Sequence, residues 1–200
     1  MNPNDIVIVA AKRTPIGLFL GDLSALGAVD LAAQTHKAVL GQSQLDPSYI
    51  DAVYTGCALP AGLRQAPAKQ AALQADLPYT TGATLINKVC GSGMQAIIVA
   101  HDAIKAGSAQ IVLTGGMESM SNAPYLLPTH RQGGRAGHTL IQDHIHLDGL
   151  EDAYEAHHLM GYFAENTAKK FNFSREAQDT YVIQSMQHAL DAQKKNLVCE

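Results

Sequence analysis

Tryptophan is absent from this 200-residue sequence, and charged residues make up only 16% of it. The formal net charge is −4, and the lysines and arginines are scattered rather than clustered. Such a charge distribution offers no basic patch to nucleic acid or to an anionic membrane surface, so we expect neither as a partner. The sequence also lacks the roughly 18 uninterrupted apolar residues of a membrane span, and its opening residues lack the basic region of a signal peptide. We therefore expect a cytoplasmic protein.

Cysteine is scarce as well. The three cysteines, Cys57, Cys90 and Cys199, are odd in number and show no Cys-x-x-Cys spacing, which favours reduced thiols over a disulfide framework or a zinc ribbon. Histidine is more frequent, with nine residues. Four histidines lie close together in the sequence: His144, His146, His157 and His158. No acidic or cysteine partner stands at a recognised zinc spacing, so we expect no metal site.

Apolar runs of strand length alternate with helical patterns over the first 116 residues. Strands are predicted at 6–10, 52–57, 83–89 and 110–114, and helices at 28–40, 65–75 and 92–106. Gly41 stands where a C-cap glycine would end the first helix. This alternation predicts an α/β fold with a largely parallel sheet covered by helices.

The pattern of apolar residues changes after Gly116. Residues 117–150 show no regular period, and irregular segments of that length usually carry function. Helical patterns return at 161–170 and 174–195, with Ser174 as the predicted N-cap of the last helix.

Cys90 lies between a predicted strand and a predicted helix, in Asn-Lys-Val-Cys-Gly-Ser-Gly-Met at 87–94. A thiol at a helix N-terminus faces the positive end of the helix dipole and unpaired backbone N–H groups, which favour the thiolate. Gly91 and Gly93 would permit a tight turn and the approach of a thioester, and the backbone amide of Cys90 could donate to an oxyanion. The helix that follows is apolar on nearly every side, so we expect it to be buried.

The competing interpretation is that Cys90 is a small core residue at a strand end, as free cysteines often are. Its glycine neighbours favour a reactive thiol instead. Cys57 and Cys199 have no such setting, and we interpret both as structural residues.

Two segments resemble signatures of the thiolase family. Residues 87–93 resemble its nucleophile motif, and Gly-Gly-Met-Glu-Ser-Met-Ser-Asn-Ala-Pro-Tyr at 115–125 resembles a second one. Segments at 12–17, 64–71 and 160–166 are similar too, so the resemblance covers nearly the whole chain. It implies the thiolase fold, a five-layered αβαβα arrangement of two similar halves with a loop domain inserted in the first. This chain would be the N-terminal half, with the α/β domain and its nucleophile at 1–116 and an incomplete loop domain at 117–200.

The resemblance also implies an activity. Cys90 would attack the keto carbonyl of a 3-ketoacyl-CoA, with acetoacetyl-CoA as the expected substrate, release acetyl-CoA and pass the acyl group to free CoA. The reverse reaction is a Claisen condensation. Coenzyme A thioesters would be the substrates, with no cofactor and no metal, in a homodimer or homotetramer that serves fatty acid metabolism.

Three further residues are implied in substrate binding. Leu150 and Met160 match family positions that line the pantetheine channel. Many thiolases have a histidine immediately before the Met-Gly pair, a place that Leu159 takes here. One extra residue between Leu150 and Met160 would let His158 reach the same spot, and the alternative is that this contact is lost. The alternative for Leu150 and Met160 is a place in the core of the loop domain.

The second half of a thiolase carries a Gly-His-Pro histidine that activates the nucleophile and a second cysteine that acts as acid and base. Neither motif occurs in these 200 residues, so we expect the chain alone to be inactive. Two alternatives are a ketosynthase-like condensing enzyme, against which the Gly-Gly-Met-Glu-Ser-Met motif argues, and a non-catalytic thiolase-like subunit, against which the intact Cys90 motif argues. We expect Glu118, within the second motif, to support the Cys90 turn by hydrogen bonding rather than to act as a base.

Overall fold

The computed structural model describes residues 5–197. Contacts divide the chain into two compact units, Met1–Gly149 and Leu150–Glu200. This division falls inside the segment 117–200, and the extent of a loop domain over that segment stays a prediction.

A parallel sheet of three strands forms the centre of the first unit. Its strands are β1 (Ala52–Gly56), β2 (Gly82–Ile86) and β3 (Val112–Gly116), in the order β2-β1-β3. Gly56 lies in register with both Ile86 and Gly116, so the carboxyl ends of the strands are level at one edge. Three of the four predicted strands are confirmed, although β2 ends three residues earlier than expected and β3 begins two residues later.

Three helices cover this sheet: α1 (Ala28–Ser43), α2 (Pro67–Gln74) and α3 (Ser92–Lys105). Helix α1 packs on α2, α2 packs on β1 and β2, and α3 packs on β1 and β3. Parallel strands are joined by right-handed crossovers, and the direction of travel across the sheet reverses after β2, so α2 and α3 lie on opposite faces. The predicted α/β class is confirmed.

The core lies between the sheet and α1 and α2. Val53 of β1 and Leu113 of β3 pack with Leu40 of α1 and Ala72 of α2. A second cluster lies nearer the carboxyl ends of the strands and contains Ala28, Val29, Ala32, Cys57, Ala71 and Met117. The core therefore extends to the residues that directly follow β1 and β3.

Two expectations about apolar segments are wrong. Residues 6–10 are not a strand, and Val7, Ile8 and Val9 are exposed. An apolar run becomes a strand only where a neighbour supplies backbone partners, and none of the described strands does so here. Helix α3 is also buried on one side only, through Ala96 and Ala100, because only that side has a sheet to pack on in the described part of the chain.

The predicted C-cap at Gly41 is wrong too. Helix α1 continues past Leu40, which is still packed in the core, and ends at Ser43. Gln44 then takes the left-handed conformation at φ 55°, and its N–H donates to the carbonyl of Leu40.

Short elements break up the segment after β3. They are single 3₁₀ turns at Met120–Asn122 and His130–Gln132, an antiparallel pair of β4 (Tyr125–Leu126) and β5 (Gln142–Asp143), and a π-helical turn at His146–Leu150.

The second unit contains α4 (Met160–Lys170) and α5 (Arg175–Lys194). The predicted cap of α5 is confirmed, because the Ser174 side chain accepts a hydrogen bond from the N–H of Ala177. Among residues 5–197, no helix has both the length and the apolar character needed to cross a membrane.

Candidate active site

Three chain segments meet at the carboxyl edge of the sheet, one after each strand. The N–H of Cys57, which follows β1, donates to the carbonyl of Ile86 at 3.0 Å, and the N–H of Met117, which follows β3, donates to the carbonyl of Gly56 at 2.9 Å. The segment after β2 holds Cys90. Open parallel sheets bind their ligands at this edge, so the three segments together form the candidate site.

Cys90 is exposed and lies just before α3, whose N-cap is Gly91. Its predicted place between a strand and a helix is confirmed, while its role as a nucleophile stays a prediction. The turn differs from the expected one, because Gly91 has an ordinary φ of −87°. The left-handed residue is Val89, with φ 48°. A β-branched residue rarely adopts that conformation, so this turn is strained at the residue before the thiol.

Two polar side chains hold this turn. Ser92 is buried, accepts from the N–H of Lys88 at 2.9 Å and donates to the carbonyl of Val89 at 2.6 Å. The side-chain oxygen of Asn87 accepts from the N–H of Val89 at 2.9 Å, and its amide nitrogen donates to the carbonyl of Ala58 at 3.1 Å. The sequence contained a signal for both roles, because short polar side chains that flank a turn commonly bond to its backbone.

Glycines let α3 begin directly against the ends of the strands. A Cβ on Gly56 would lie 2.3 Å from the carbonyl carbon of Ser92 and 2.4 Å from the nitrogen of Gly93. A Cβ on Gly116 would lie 3.3 Å from the Cα of Gly93. The first turn of α3 therefore rests directly on the backbone of β1 and β3.

Glu118 bonds to the segment after β1 rather than to the Cys90 turn. One carboxylate oxygen accepts from the N–H of Ala58 at 2.7 Å, and the other accepts from the N–H of Leu59 at 3.2 Å and from the thiol of Cys57 at 3.4 Å. The expected direct support of the Cys90 turn is thus replaced by an indirect link, which runs from Ala58 to Asn87.

Cys57 is buried, as its structural interpretation requires. Burial raises the pKa of its thiol to about 12, and the negative charge and hydrogen bond of Glu118 act in the same direction. Cys57 is therefore kept protonated as a donor to Glu118 and is unsuited to nucleophilic attack. Cys199 lies outside the described residues.

The remaining polar residues of the 115–125 motif bind a different segment. Ser119 donates to the carbonyl of Leu26 at 3.0 Å, and the Asn122 amide donates to the carbonyls of Ser24 and Leu26 at 2.9 and 3.0 Å. This motif thus ties the chain before α1 to the chain after β3.

His144 is the buried member of the four neighbouring histidines. Its Nδ1 lies 2.7 Å from a carboxylate oxygen of Asp148, and its Nε2 accepts from the N–H of Ala61 at 3.3 Å. These contacts join the segment after β1 to the loop that follows β3. In the described part of the chain, no group of three or more His, Cys, Asp or Glu side chains is placed to hold a metal ion.

The other three predicted site residues belong to the second unit. Leu150 ends the π-helical turn and is half-buried, and Met160 is the first residue of α4 and is exposed. The His158 ring stacks on Tyr162, with 3.8 Å between the ring centroids, and its Nδ1 lies 3.3 Å from a carboxylate oxygen of Glu155. Their roles in thioester binding stay predictions.

Comparisons with known proteins show to which family the chain belongs. The family model described as the thiolase N-terminal domain matches residues 6–198. Acetyl-CoA acetyltransferase of Chromobacterium violaceum is 47% identical over 190 residues, which make up 95% of this chain and 48% of that protein. Acetyl-CoA acetyltransferase 1 of Arabidopsis thaliana is 44% identical over 197 residues, or 98% of this chain and 47% of that protein.

A third relative, acetyl-CoA acetyltransferase IA of Candida tropicalis, is 47% identical over 185 residues, which make up 92% of this chain and 46% of that protein. The chain spans about half the length of the curated relatives that it matches. Since the family model matches nearly every residue, including the Cys90 turn and the segment after β3, the chain belongs to the thiolase family.

Proposed function

We propose that this chain carries the nucleophile of an acetyl-CoA C-acyltransferase that cleaves and forms 3-ketoacyl-CoA, with acetoacetyl-CoA as its substrate. The relatives are named acetyl-CoA acetyltransferases. The observation that carries the proposal is that Cys90 is exposed, in a turn that the side chains of Asn87 and Ser92 stabilise.

The reaction proceeds in two transfers. The Cys90 thiolate attacks the keto carbonyl, and the tetrahedral oxyanion collapses to break the carbon–carbon bond. The electron pair of that bond leaves with acetyl-CoA as its enolate, which takes up a proton, and the acyl group stays on Cys90 as a thioester. The thiol of free CoA then loses its proton and attacks this thioester, so that acyl-CoA leaves and the Cys90 thiolate is restored.

The position of Cys90 supports this chemistry. The thiol lies at the N-terminus of α3, where the helix dipole favours a negative charge, and its backbone amide would donate to the oxyanion. The proton transfers need a base and an acid, which the family carries on a Gly-His-Pro histidine and a second cysteine, and neither motif occurs in this sequence.

Substrate binding and assembly are proposed on the same basis. The substrates are acyl-CoA and CoA, with the pantetheine arm against Leu150, Met160 and His158. The enzyme is a cytoplasmic homodimer or homotetramer of fatty acid metabolism that needs neither cofactor nor metal.

An intact-protein mass spectrum of the natural gene product, taken after brief incubation with acetoacetyl-CoA, tests the proposal. We expect an acetyl adduct that peptide mapping assigns to Cys90. Replacement C90S should abolish the adduct, and the matched replacement C57S should retain it. A gene product without any adduct would contradict the acyltransferase function and favour a non-catalytic thiolase relative.

A further inference from the structure

Val89 takes a conformation that is unfavourable for valine, in a turn closed by a hydrogen bond from the N–H of Gly91 to the carbonyl of Lys88 at 3.0 Å. Its φ of 48° lies in the left-handed region, where the Cβ of an L-residue is crowded and where a valine is a rare occupant. Its side chain is 46% exposed, so packing of the side chain does little to hold the residue there. Contacts to its backbone must hold it.

Both backbone polar groups of Val89 are bound by side chains. The N–H donates to the side-chain oxygen of Asn87 at 2.9 Å, and the carbonyl accepts from the hydroxyl of Ser92 at 2.6 Å and from the N–H of Ser92 at 3.1 Å. Asn87 is therefore the partner that holds the N–H side of Val89. Ser92 is buried at the start of α3 and moves with that helix. Asn87 precedes the turn and can hold Val89 only if its own side chain is anchored elsewhere.

That anchor lies on the neighbouring segment. The amide nitrogen of Asn87 donates to the carbonyl of Ala58 at 3.1 Å, and the N–H of Ala58 donates to Glu118 at 2.7 Å. The segments that follow the three strands are therefore tied in series from Glu118 to Val89. Asn87 is the member of this series that reaches the residue next to the thiol.

We infer that Asn87 is a positioning residue for Cys90: its side chain, anchored on Ala58, holds Val89 left-handed and so keeps the thiol at the N-terminus of α3. Asn87 acts through Val89 and takes no part in bond making. A role of Asn87 in the reaction of Cys90 with acyl thioesters rests on the proposed function. Its effect on the position of the thiol does not depend on that function.

The test measures the rate at which iodoacetamide alkylates Cys90 in the 200-residue chain at near-neutral pH, with each cysteine followed by peptide mass spectrometry. Replacement N87A should slow alkylation of Cys90 about two- to fivefold, the size of the effect that a helix N-terminus has on a negative charge at an exposed site. Adding V89N should restore most of the rate, because asparagine adopts the left-handed conformation far more readily than valine. A merely structural role for Asn87 would give no such rescue.

N122A is the matched control. The Asn122 amide also joins two segments, but its partners are Ser24 and Leu26, and it does not touch the Cys90 turn. We expect N122A to leave the Cys90 rate unchanged. Protection of the buried Cys57 in every variant reports that the chain is folded. If N87A alone does not fold, the comparison of V89N with N87A/V89N carries the test, and equal Cys90 rates in these two are then expected.

The outcomes distinguish the role of Asn87 as a positioning residue from the proposed function of the chain. An unchanged Cys90 rate in N87A, or a slowed rate that V89N does not restore, overturns the role of Asn87 and leaves the proposed function standing. A slowed rate in N122A equal to that in N87A overturns it as well. Absence of the acetyl adduct from the natural gene product, by contrast, would overturn the proposed function and leave the effect of Asn87 on the Cys90 thiol standing.

Discussion

The thiol of Cys57 donates to Glu118 across 3.4 Å. Burial, reinforced by this carboxylate, raises the pKa of Cys57 to about 12. Cys90, by contrast, is exposed at the start of α3. The same edge of the sheet therefore holds one cysteine that is kept protonated and one that meets solvent.

Selective alkylation follows from this difference. About four units below its pKa, only about one Cys57 thiol in ten thousand is ionised, and the thiolate is the form that reacts. We expect iodoacetamide to modify Cys90 at mildly alkaline pH while Cys57 stays unmodified until the chain is unfolded in urea. Peptide mass spectrometry of a time course checks this. Equal rates at the two cysteines in the folded chain would contradict the described site.

Replacement E118Q should loosen the segment after β1. A glutamine side chain places an NH₂ group where one of the two carboxylate oxygens stood, so that a donor then faces the N–H of Ala58 or of Leu59. We expect a loss of about 1–3 kcal/mol in the free energy of unfolding, because a buried backbone N–H is left without its acceptor. Urea unfolding measures this, with E165Q as the control, since Glu165 is exposed on α4 and its replacement should change the stability by less than about 0.5 kcal/mol.

The E118Q variant should also change the pKa of Cys57. Without the charge of Glu118, the pKa of Cys57 should fall, yet stay above the ordinary value because burial is the larger cause. The pH at which Cys57 begins to react with iodoacetamide reports this shift. A Cys57 that reacts at the same pH in both proteins would show that Glu118 contributes nothing to the ionisation of the thiol.

The sequence predicted correctly those features that depend only on neighbouring residues. Ser174 caps α5 as expected, because this preference depends on neighbouring residues alone. The position of Cys90 before α3 was predictable for the same reason. The left-handed conformation of Val89 was not, since valine disfavours it and the Asn87 side chain that bonds to it is anchored on another segment. The strand predicted at 6–10 was wrong for a similar reason. A strand needs backbone partners from other segments, and its own residues do not show whether such partners are present.

The close approach of β1 to α3 makes Gly56 hard to replace. A Cβ at this position would meet three backbone atoms of Ser92 and Gly93 at 2.3–2.5 Å, and backbone cannot move aside as a flexible side chain does. We expect G56A to lower the free energy of unfolding by about 1–3 kcal/mol and to shift the start of α3. Urea unfolding checks the first effect, and the alkylation rate of Cys90 checks the second.

Gly115 provides the control for that substitution. It is also a strand glycine at this end of the sheet, and a Cβ there would meet nothing within 4 Å. G115A should therefore change the stability by less than about 1 kcal/mol. If G56A proved as stable as G115A, the contact between β1 and the first turn of α3 would be looser than described.

His36 should make the fold sensitive to acid. It is buried in α1, and burial lowers its pKa from 6.5 to about 4, although a hydrogen bond with the backbone of Ala71 opposes the shift. Between these two pH values the unfolded chain binds a proton that the folded chain does not. The free energy of unfolding therefore falls as the pH drops from about 6.5 to about 4. Below about pH 4 both states bind the proton, and the loss stays constant. The shift corresponds to a loss of about 3 kcal/mol from this one residue.

Replacement H36Q isolates this loss from the titration of the carboxylates. Glutamine keeps a side-chain N–H for Ala71 but cannot be protonated in this range. The free energy of unfolding in urea, measured for both proteins from pH 7 to pH 4, should fall more steeply for the wild type, and the difference between the two should change by up to about 3 kcal/mol in favour of H36Q. Parallel curves for the two proteins would mean that His36 is protonated in the fold at little cost and that its burial is less complete than described. In that case the acid sensitivity of the chain would have to come from its carboxylates.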